Sequence, residues 1–524
     1  MNLTVKEAFH NPQLFRDLIL KHVHIAADRK QFAAKAFICV SFTRFCPVGC
    51  PFCFFSSAPA LKEKSISDAF TEEGLERFIQ FANDCNLGYL LVSGGGEPFM
   101  EKNCVLKVVE EVISDKIVLV TSANWAKSKA AAATYVKQIY EAFKKRKTPT
   151  NLVVRVSIDE EHAKVGLEPV YHLIHLFEEL YLNESHFKLQ FHTLFDDPCI
   201  DKLLGQLSGK IVASQDHKRK SDAETILKVN PAEKVIQLAS GLSIKVGYAK
   251  RFYSNIKIDL NDPTAIERNL ATFEWDITES EENNSSVVTN MDGKKGLDFW
   301  VNFNGNVTTW GNQVPDNIFN LYEDSYVKVV NATFEDPLSL SYLEKGTPYR
   351  DRIVNEVNPK AVIRARATNI RDYTGAIICE EEKTRLYLSL RIIQDYIKEG
   401  RITPSELTSW PLEIQQLLSL KKEELIQLYR ESGYSIIDQY MKREFNQSEW
   451  LDLFELIKLS HYDISATKIK EAIEYYNKRV AKEFVTRIED IVHKPRGYFH
   501  EERLIAIKAS VAERYLKDKV LVHA

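Results

Sequence analysis

Three things are scarce in this chain, and each scarcity removes a class of protein. No uncharged apolar run reaches the ~18 residues a membrane-spanning helix needs. The opening Met1-Asn-Leu-Thr-Val-Lys-Glu is polar, where a secretory signal would be basic and then apolar. A cytoplasmic protein with no membrane partner is expected. Excess charge is also missing: a net charge of −4 over 524 residues gives no global basic field, so nucleic acid is not expected as a partner. Cysteine is sparse, with eight in the whole chain and three of them in one short cluster, which fits a reducing compartment rather than a disulfide framework. What is plentiful is apolar surface: at 44% hydrophobic, a chain of this length supports two or three domains.

The cysteine cluster is Cys46-Pro-Val-Gly-Cys50-Pro-Phe-Cys53, a C-x3-C-x2-C spacing just after the apolar run Phe37 to Phe42. Thiolates are the usual ligands of a [4Fe–4S] cluster, and a loop bent at Pro47, Gly49 and Pro51 can fold three sulfurs around one cube. Three sulfurs hold three irons and leave the fourth open to a small molecule. The competing reading is a zinc knob with Cys39 as fourth ligand, although structural zinc sites usually pair two C-x2-C-like hooks or add histidines, and no second hook follows.

With Phe52 before its last cysteine, the motif resembles the signature of the radical S-adenosylmethionine (SAM) superfamily. The resemblance implies one [4Fe–4S] cluster held by Cys46, Cys50 and Cys53, with S-adenosylmethionine on its open iron. Reductive cleavage then gives a 5′-deoxyadenosyl radical that takes a hydrogen atom from the substrate. It also implies an electron donor such as flavodoxin or ferredoxin.

Residues 1–35 read as a helical lead-in, with Phe9, Leu14, Leu18, Ile19 and Val23 on one side, packing over one end of the next domain. From Ala36, apolar runs at 37–42, 88–93, 116–121, 151–158 and 187–195 alternate with helical patterns at 71–84, 101–114, 126–146 and 167–183. That alternation is a βα repeat and predicts an α/β fold with a parallel sheet, open or closed into a barrel. The resemblance implies a partial (β/α)6 barrel over 36–234 with the cluster loop after its first strand.

In such a sheet, ligands lie beyond the carboxyl ends of the strands. After the second run comes Ser93-Gly94-Gly95-Gly96-Glu97-Pro98, whose glycines let backbone approach a ligand, or simply make a tight turn. The segment resembles the family's G-G-E-P, which contacts the amino group of S-adenosylmethionine. After the third run stands Thr121, and after the fourth Ser157-Ile-Asp159, whose Ser and Asp share one side of an extended chain. They are candidates for the ribose hydroxyls and the methionine end of the cofactor, or for helix caps. Gln190 and His192 share a face on the fifth run, with His192 a minor candidate.

Residues 201–230 turn polar and read as a surface excursion. Short strands at Val235–Leu238 and Leu242–Tyr248, and a hairpin around Asn304-Gly305, predict a small β region over 235–345. It resembles the twitch or SPASM modules of peptide-modifying radical enzymes, but residues 236–378 contain no cysteine, and Trp310 stands about where a cluster ligand would be expected. One cluster only is predicted. Residues 346–524 read as a helical domain, with an amphipathic stretch at 465–491.

Cys39, Cys85, Cys104 and Cys199 are read as packing residues. Cys379, after Tyr373-Thr-Gly375 and before three glutamates, is the candidate catalytic thiol, since an S–H bond is a good hydrogen-atom donor to a carbon radical. A barrel, a cluster-free auxiliary region and a late lone cysteine resemble the proteusin-type peptide epimerases. That resemblance implies a precursor peptide as substrate and conversion of L- to D-residues at Cα. Radical cross-linking, and a non-catalytic metal-binding interaction protein, are the alternatives.

Overall fold

A computed structural model describes residues 4–48, 69–94, 96–194, 197–217, 233–249, 296–309, 319–357 and 382–432. The chain enters through helix α1 (Pro12–His22) and then alternates β1 (Ala36–Val40), α2 (Glu72–Asp84), β2 (Leu87–Val92), α3 (Lys102–Glu111), β3 (Lys116–Thr121), α4 (Lys129–Lys144), β4 (Asn151–Ser157), α5 (Glu168–Leu180) and β5 (Phe187–Leu194). The predicted period is therefore observed. Helix starts are set by side-chain caps: the Thr71 hydroxyl accepts from Gly74 N at 3.0 Å, and Ser128 from Ala131 N at 3.2 Å.

Five strands, β1 through β5, lie in sequence order and run parallel. The next segments change the expected picture. Residues 201–217, mostly exposed as the surface reading expects, form helix α6 (Cys199–Leu207) and strand β6 (Ile211–His217). β6 pairs antiparallel with β7 (Glu233–Leu238), and β7 with β8 (Ser243–Ala249). β8 then runs parallel to β5, so the sixth parallel strand comes from the region expected to be auxiliary.

The hairpin β9 (Asp298–Val301) and β10 (Asn306–Thr309) turns at Asn304-Gly305, with Gly305 at φ +86°, as its sequence predicts. β9 pairs parallel with β1, and β11 (Phe319–Asn320) closes that edge on β10. Among the described residues the result is one eleven-stranded sheet in the order β11-β10-β9-β1-β2-β3-β4-β5-β8-β7-β6. Trp310 lies outside the described residues.

One face of this sheet is sealed. Ile38, Val40, Leu90, Val92, Ile117, Leu119, Val154, Val156, Leu189 and Phe191 share a single apolar core with the inner sides of α2 to α5. Phe37, Cys39 and Trp300 point the other way and form a separate small cluster with Tyr89 and Leu91.

The described helices that follow are α7 (Tyr326–Glu335), α8 (Pro337–Val357, broken at Gly346 with φ +72°), α9 (Glu382–Lys398), α10 (Pro404–Ser409), α11 (Leu412–Ser419) and α12 (Lys422–Glu431). The amino-terminal segment packs on this bundle. Phe9 packs on Tyr387 and Tyr429, and Arg385 donates to Gln13. Arg16, fully buried, donates to Asp336 at 2.6 Å and to Ser389 at 3.1 Å. Desolvating that guanidinium is costly, and the buried carboxylate and hydroxyl compensate it only in this packing. The predicted helix at 465–491 lies outside the described residues. No helix among the described residues is long and apolar enough to cross a membrane.

Candidate active site at the carboxyl ends of the strands

The loops leaving β1 and β2 are built as one unit. Ser93 N donates to Val40 O at 3.0 Å, and the Ser93 carbonyl accepts from Ser41 Oγ at 3.3 Å and Cys39 Sγ at 3.8 Å. Glu97 N donates to the Phe45 carbonyl at 2.8 Å. Gly94 takes φ +77°, a conformation that favours glycine. Gly96 is required for a different reason: a β-carbon there would stand 2.1 Å from the Phe45 carbonyl oxygen and 2.7 Å from that of Thr43. The glycine segment thus grips the backbone immediately before Cys46.

Cys46 follows at the carboxyl end of β1, half-buried and not in a disulfide. Cys50, Cys53, Phe52 and Gly95 lie outside the described residues, as does Cys379. Among the described residues no three His, Cys, Asp or Glu side chains converge as a metal site.

Glu97 and Thr121 are turned into each other. The buried Glu97 carboxylate accepts from Thr121 Oγ1 at 2.7 Å, Ser122 N at 2.7 Å, Ser122 Oγ at 2.6 Å and Phe99 N at 3.2 Å. Thr121 Oγ1 in turn accepts from Ala123 N and from Trp125 Nε1 at 2.8 Å. With these partners the two side chains are committed to tying the β2 loop to the end of β3. They position the backbone of Gly96 and Ser122.

Ser157 and Asp159 have different surroundings. Ser157 is half-buried in register with His192 of β5, on the face away from the helices. Asp159 is buried and makes the local cap anticipated as its alternative role: its carboxylate accepts from Glu161 N and His162 N, both at 3.0 Å, and meets His162 Nδ1 at 2.6 Å. Burial pushes this carboxyl up, but the His162 hydrogen bonds and charge, with the Glu161 amide, outweigh it and hold the group below the usual carboxylate range.

The open face also carries residues that belong to no motif. Arg155, two before Ser157, reaches Tyr89 Oη and Gln190 Oε1, each at 3.4 Å. Across the sheet Val120, Arg155, Gln190 and Lys245 stand in one row, and Ser157, His192 and Gly247 in a row two residues nearer the carboxyl ends. A β-carbon at Gly247 would lie 3.3 Å from His192 Cδ2, so the glycine leaves room beside the imidazole. The signal was present in Asn151-Leu-Val-Val-Arg-Val-Ser157: a charged residue inside an apolar strand, with the same parity as a serine at its end.

The remaining described cysteines are packing residues. Burial raises the Cys39 and Cys85 thiols far above their ordinary range, and burial with the nearby Asp197 pushes Cys199 up to about 11. Cys39 faces Trp300 inside β1, with Phe37 beside it, which does not suit a fourth zinc ligand.

Residues 35–157 match the family model of a 4Fe-4S single cluster domain. The matched stretch runs from the residue before β1 to the last residue of β4, and so contains all three motif cysteines, the glycine segment and Ser157. No curated protein sequence matches the chain. Among solved structures, a histidine-tagged anSMEcpe with bound AdoMet is similar at 12% identity and a TM-score of 0.33, over 76% of this chain and 98% of that one. Native anSMEcpe with bound AdoMet is similar at 11% identity and a TM-score of 0.33, over 70% and 98%. A likeness at that score carries no chemistry across.

Proposed function

We propose that the protein is a radical S-adenosylmethionine enzyme acting on a ribosomally made peptide, with Cα epimerisation of L- to D-residues as its reaction. The observation that carries the first part is the placement of Cys46. It opens a C-x3-C-x2-C motif at the carboxyl end of β1, against a glycine segment, inside a stretch similar to a single-cluster 4Fe–4S domain.

The described residues suit these cofactors. Cys46 is half-buried and two further thiols follow within seven residues, a soft three-donor set with no fourth protein ligand implied. Cys46, Cys50 and Cys53 would hold the cluster, and the backbone of Gly94 to Gly96 would face the methionine end of S-adenosylmethionine. Together the two cofactors supply one-electron cleavage and a carbon radical able to remove a substrate hydrogen. The chain's own part is to exclude water and orient. Glu97, Thr121 and Ser122 fix the β2 and β3 loops, Ser157 and His192 line the approach, and the open strand face receives the substrate.

The peptide reading is supported by the sequence: a lone late thiol, Cys379, and an auxiliary region without cysteines. In it, Cys379 would return a hydrogen atom to the face opposite the one that lost it, and an electron from the external donor with a proton from solvent would restore the thiol.

The test is anaerobic reconstitution with iron and sulfide, reduction, and assay for 5′-deoxyadenosine, followed by co-expression with a neighbouring candidate peptide in heavy water. One deuterium per altered residue, recovered as the D-isomer, supports epimerisation. Loss of hydrogens from the peptide would establish cross-linking or desaturation instead. Iron binding without 5′-deoxyadenosine would defeat the radical reading. Cys379→Ala should stop epimerisation while cofactor cleavage continues.

A further inference from the structure

The open strand face carries a charge pattern that the cofactors do not account for. On β3, β4, β5 and β8 the residues pointing away from the helices include Lys116, Arg155, Lys188 and Lys245, with His192 among them, and no acidic residue. Two acids stand in register on this side: Asp298, buried on β9 beside Phe37, four strands and so about 19 Å from β4, and Glu233 of β7, paired with Gly247 three strands or about 14 Å from β4 and two residues nearer the carboxyl ends than Arg155.

Arg155 is the telling member. The residue is half-buried, its guanidinium reaches a phenol and an amide at 3.4 Å, and among the described residues it has no carboxylate partner. A guanidinium is always charged and presents a flat fork of donors suited to two carboxylate oxygens. Proteins rarely leave such a group half-buried against neutral partners, because its desolvation is then uncompensated.

Lys245 stands in the same row, two strands or about 10 Å from Arg155, with Gln190 between them. That row lies about 7 Å, two strand residues, below Ser157, His192 and Gly247 at the carboxyl edge. A group held at the row would therefore present an atom a few bonds away to the edge where the reaction is placed.

We propose that this row binds a carboxylate of the substrate, supplied by an acidic side chain of a peptide. Arg155 is the fork, and Lys245 and Gln190 are the flanking charge and donor. The proposal rests on the reading of the carboxyl edge as a reaction site, and it names the substrate as an acidic peptide segment.

The test is a titration, independent of turnover. The full chain, reconstituted anaerobically and held with S-adenosylmethionine, is titrated calorimetrically at low salt with acetyl-tetraglutamate amide and with its glutamine counterpart. The glutamate peptide should bind at least about tenfold tighter, with an affinity that falls as salt rises. Arg155→Gln should lose about tenfold, Lys245→Gln a few-fold, and Arg155→Lys should recover part of the Arg155→Gln loss. Circular dichroism melts separate a folding failure from a lost contact. If Arg155→Gln does not fold, the Lys245→Gln and Arg155→Lys titrations decide.

Equal affinity for the two peptides, or an Arg155→Gln affinity equal to the parent's, overturns the proposal. Glutarate binding as tightly as the peptide overturns the peptide part, because the shared carboxylate chemistry would then belong to a small molecule. Assay of 5′-deoxyadenosine on the unsubstituted protein is a separate measurement: its absence defeats the radical reading, while the titration still reports on the carboxylate site.

Discussion

The two faces of the sheet meet within single strands and follow different rules. On β5, Phe187, Leu189 and Phe191 are each about 1% exposed against the helices, while Gln190 and His192 between and beyond them are half-buried on the opposite side. On β4, Val154 and Val156 are sealed, and Arg155 and Ser157 are not. The sealed face obeys the packing rule, with each buried large apolar side chain worth roughly 1.5–3 kcal/mol. Toward the carboxyl ends of β4, β5 and β8 the other face gives up that gain, although Phe37, Trp300, Val118 and Val153 are buried elsewhere on it. There it spends strand positions on a guanidinium, an amide, an imidazole and a lysine.

The largest effect should come from neighbouring positions on β5. Phe191→Ala opens a cavity in the sealed core and should cost about 3–5 kcal/mol in denaturant unfolding. Gln190→Ala, one residue earlier, should stay within about 0.5 kcal/mol. Comparable losses at the two positions would mean that both faces are packed, and the contrast would be lost.

The edge where the faces meet gives the next effect. Gly96→Ala forces a β-carbon into the Phe45 carbonyl, 2.1 Å from where it would sit, so either the glycine loop or the backbone before Cys46 must move. An overpacking cost of about 1–3 kcal/mol is expected, with iron bound after reconstitution falling below that of the parent. Unchanged iron content would show that the two loops are not coupled.

Much of this was legible in the chain. The period of apolar runs placed β1 to β5 and their helices within a few residues, because each element is a local pattern. What was missed depends on distant pairing. Nothing local tells Ser243–Ala249 that it will lie parallel to β5 in place of forming a free hairpin, and Arg16 finds Asp336 only across 320 residues. The site divides in the same way. Glycines at a strand end could be read as a close backbone approach, but the partner of Gly96 proved to be the cysteine loop itself. Glu97 looked available to a ligand because the donors to its carboxylate, Thr121 and Ser122, stand 24 and 25 residues further on.

The smallest effect tests whether Asp159 belongs to the structure or to the open face. Its carboxyl is held below the usual range by His162, against burial. The folded form therefore releases its proton at lower pH than the unfolded chain does, near ~3.9, and just below that value the unfolded state binds more protons. The stabilisation is present above the unfolded value and is lost as pH falls through the folded one. His162→Ala removes the principal group favouring the anion, so it should cost about 1 kcal/mol at neutral pH. The gap between variant and parent should close as the medium is acidified through ~3.9 and below. Unfolding curves of both proteins across that range check it. A gap that persists in acid would mean that His162 stabilises the fold by contacts other than the Asp159 carboxylate, and the carboxylate would then be free to turn toward the open face.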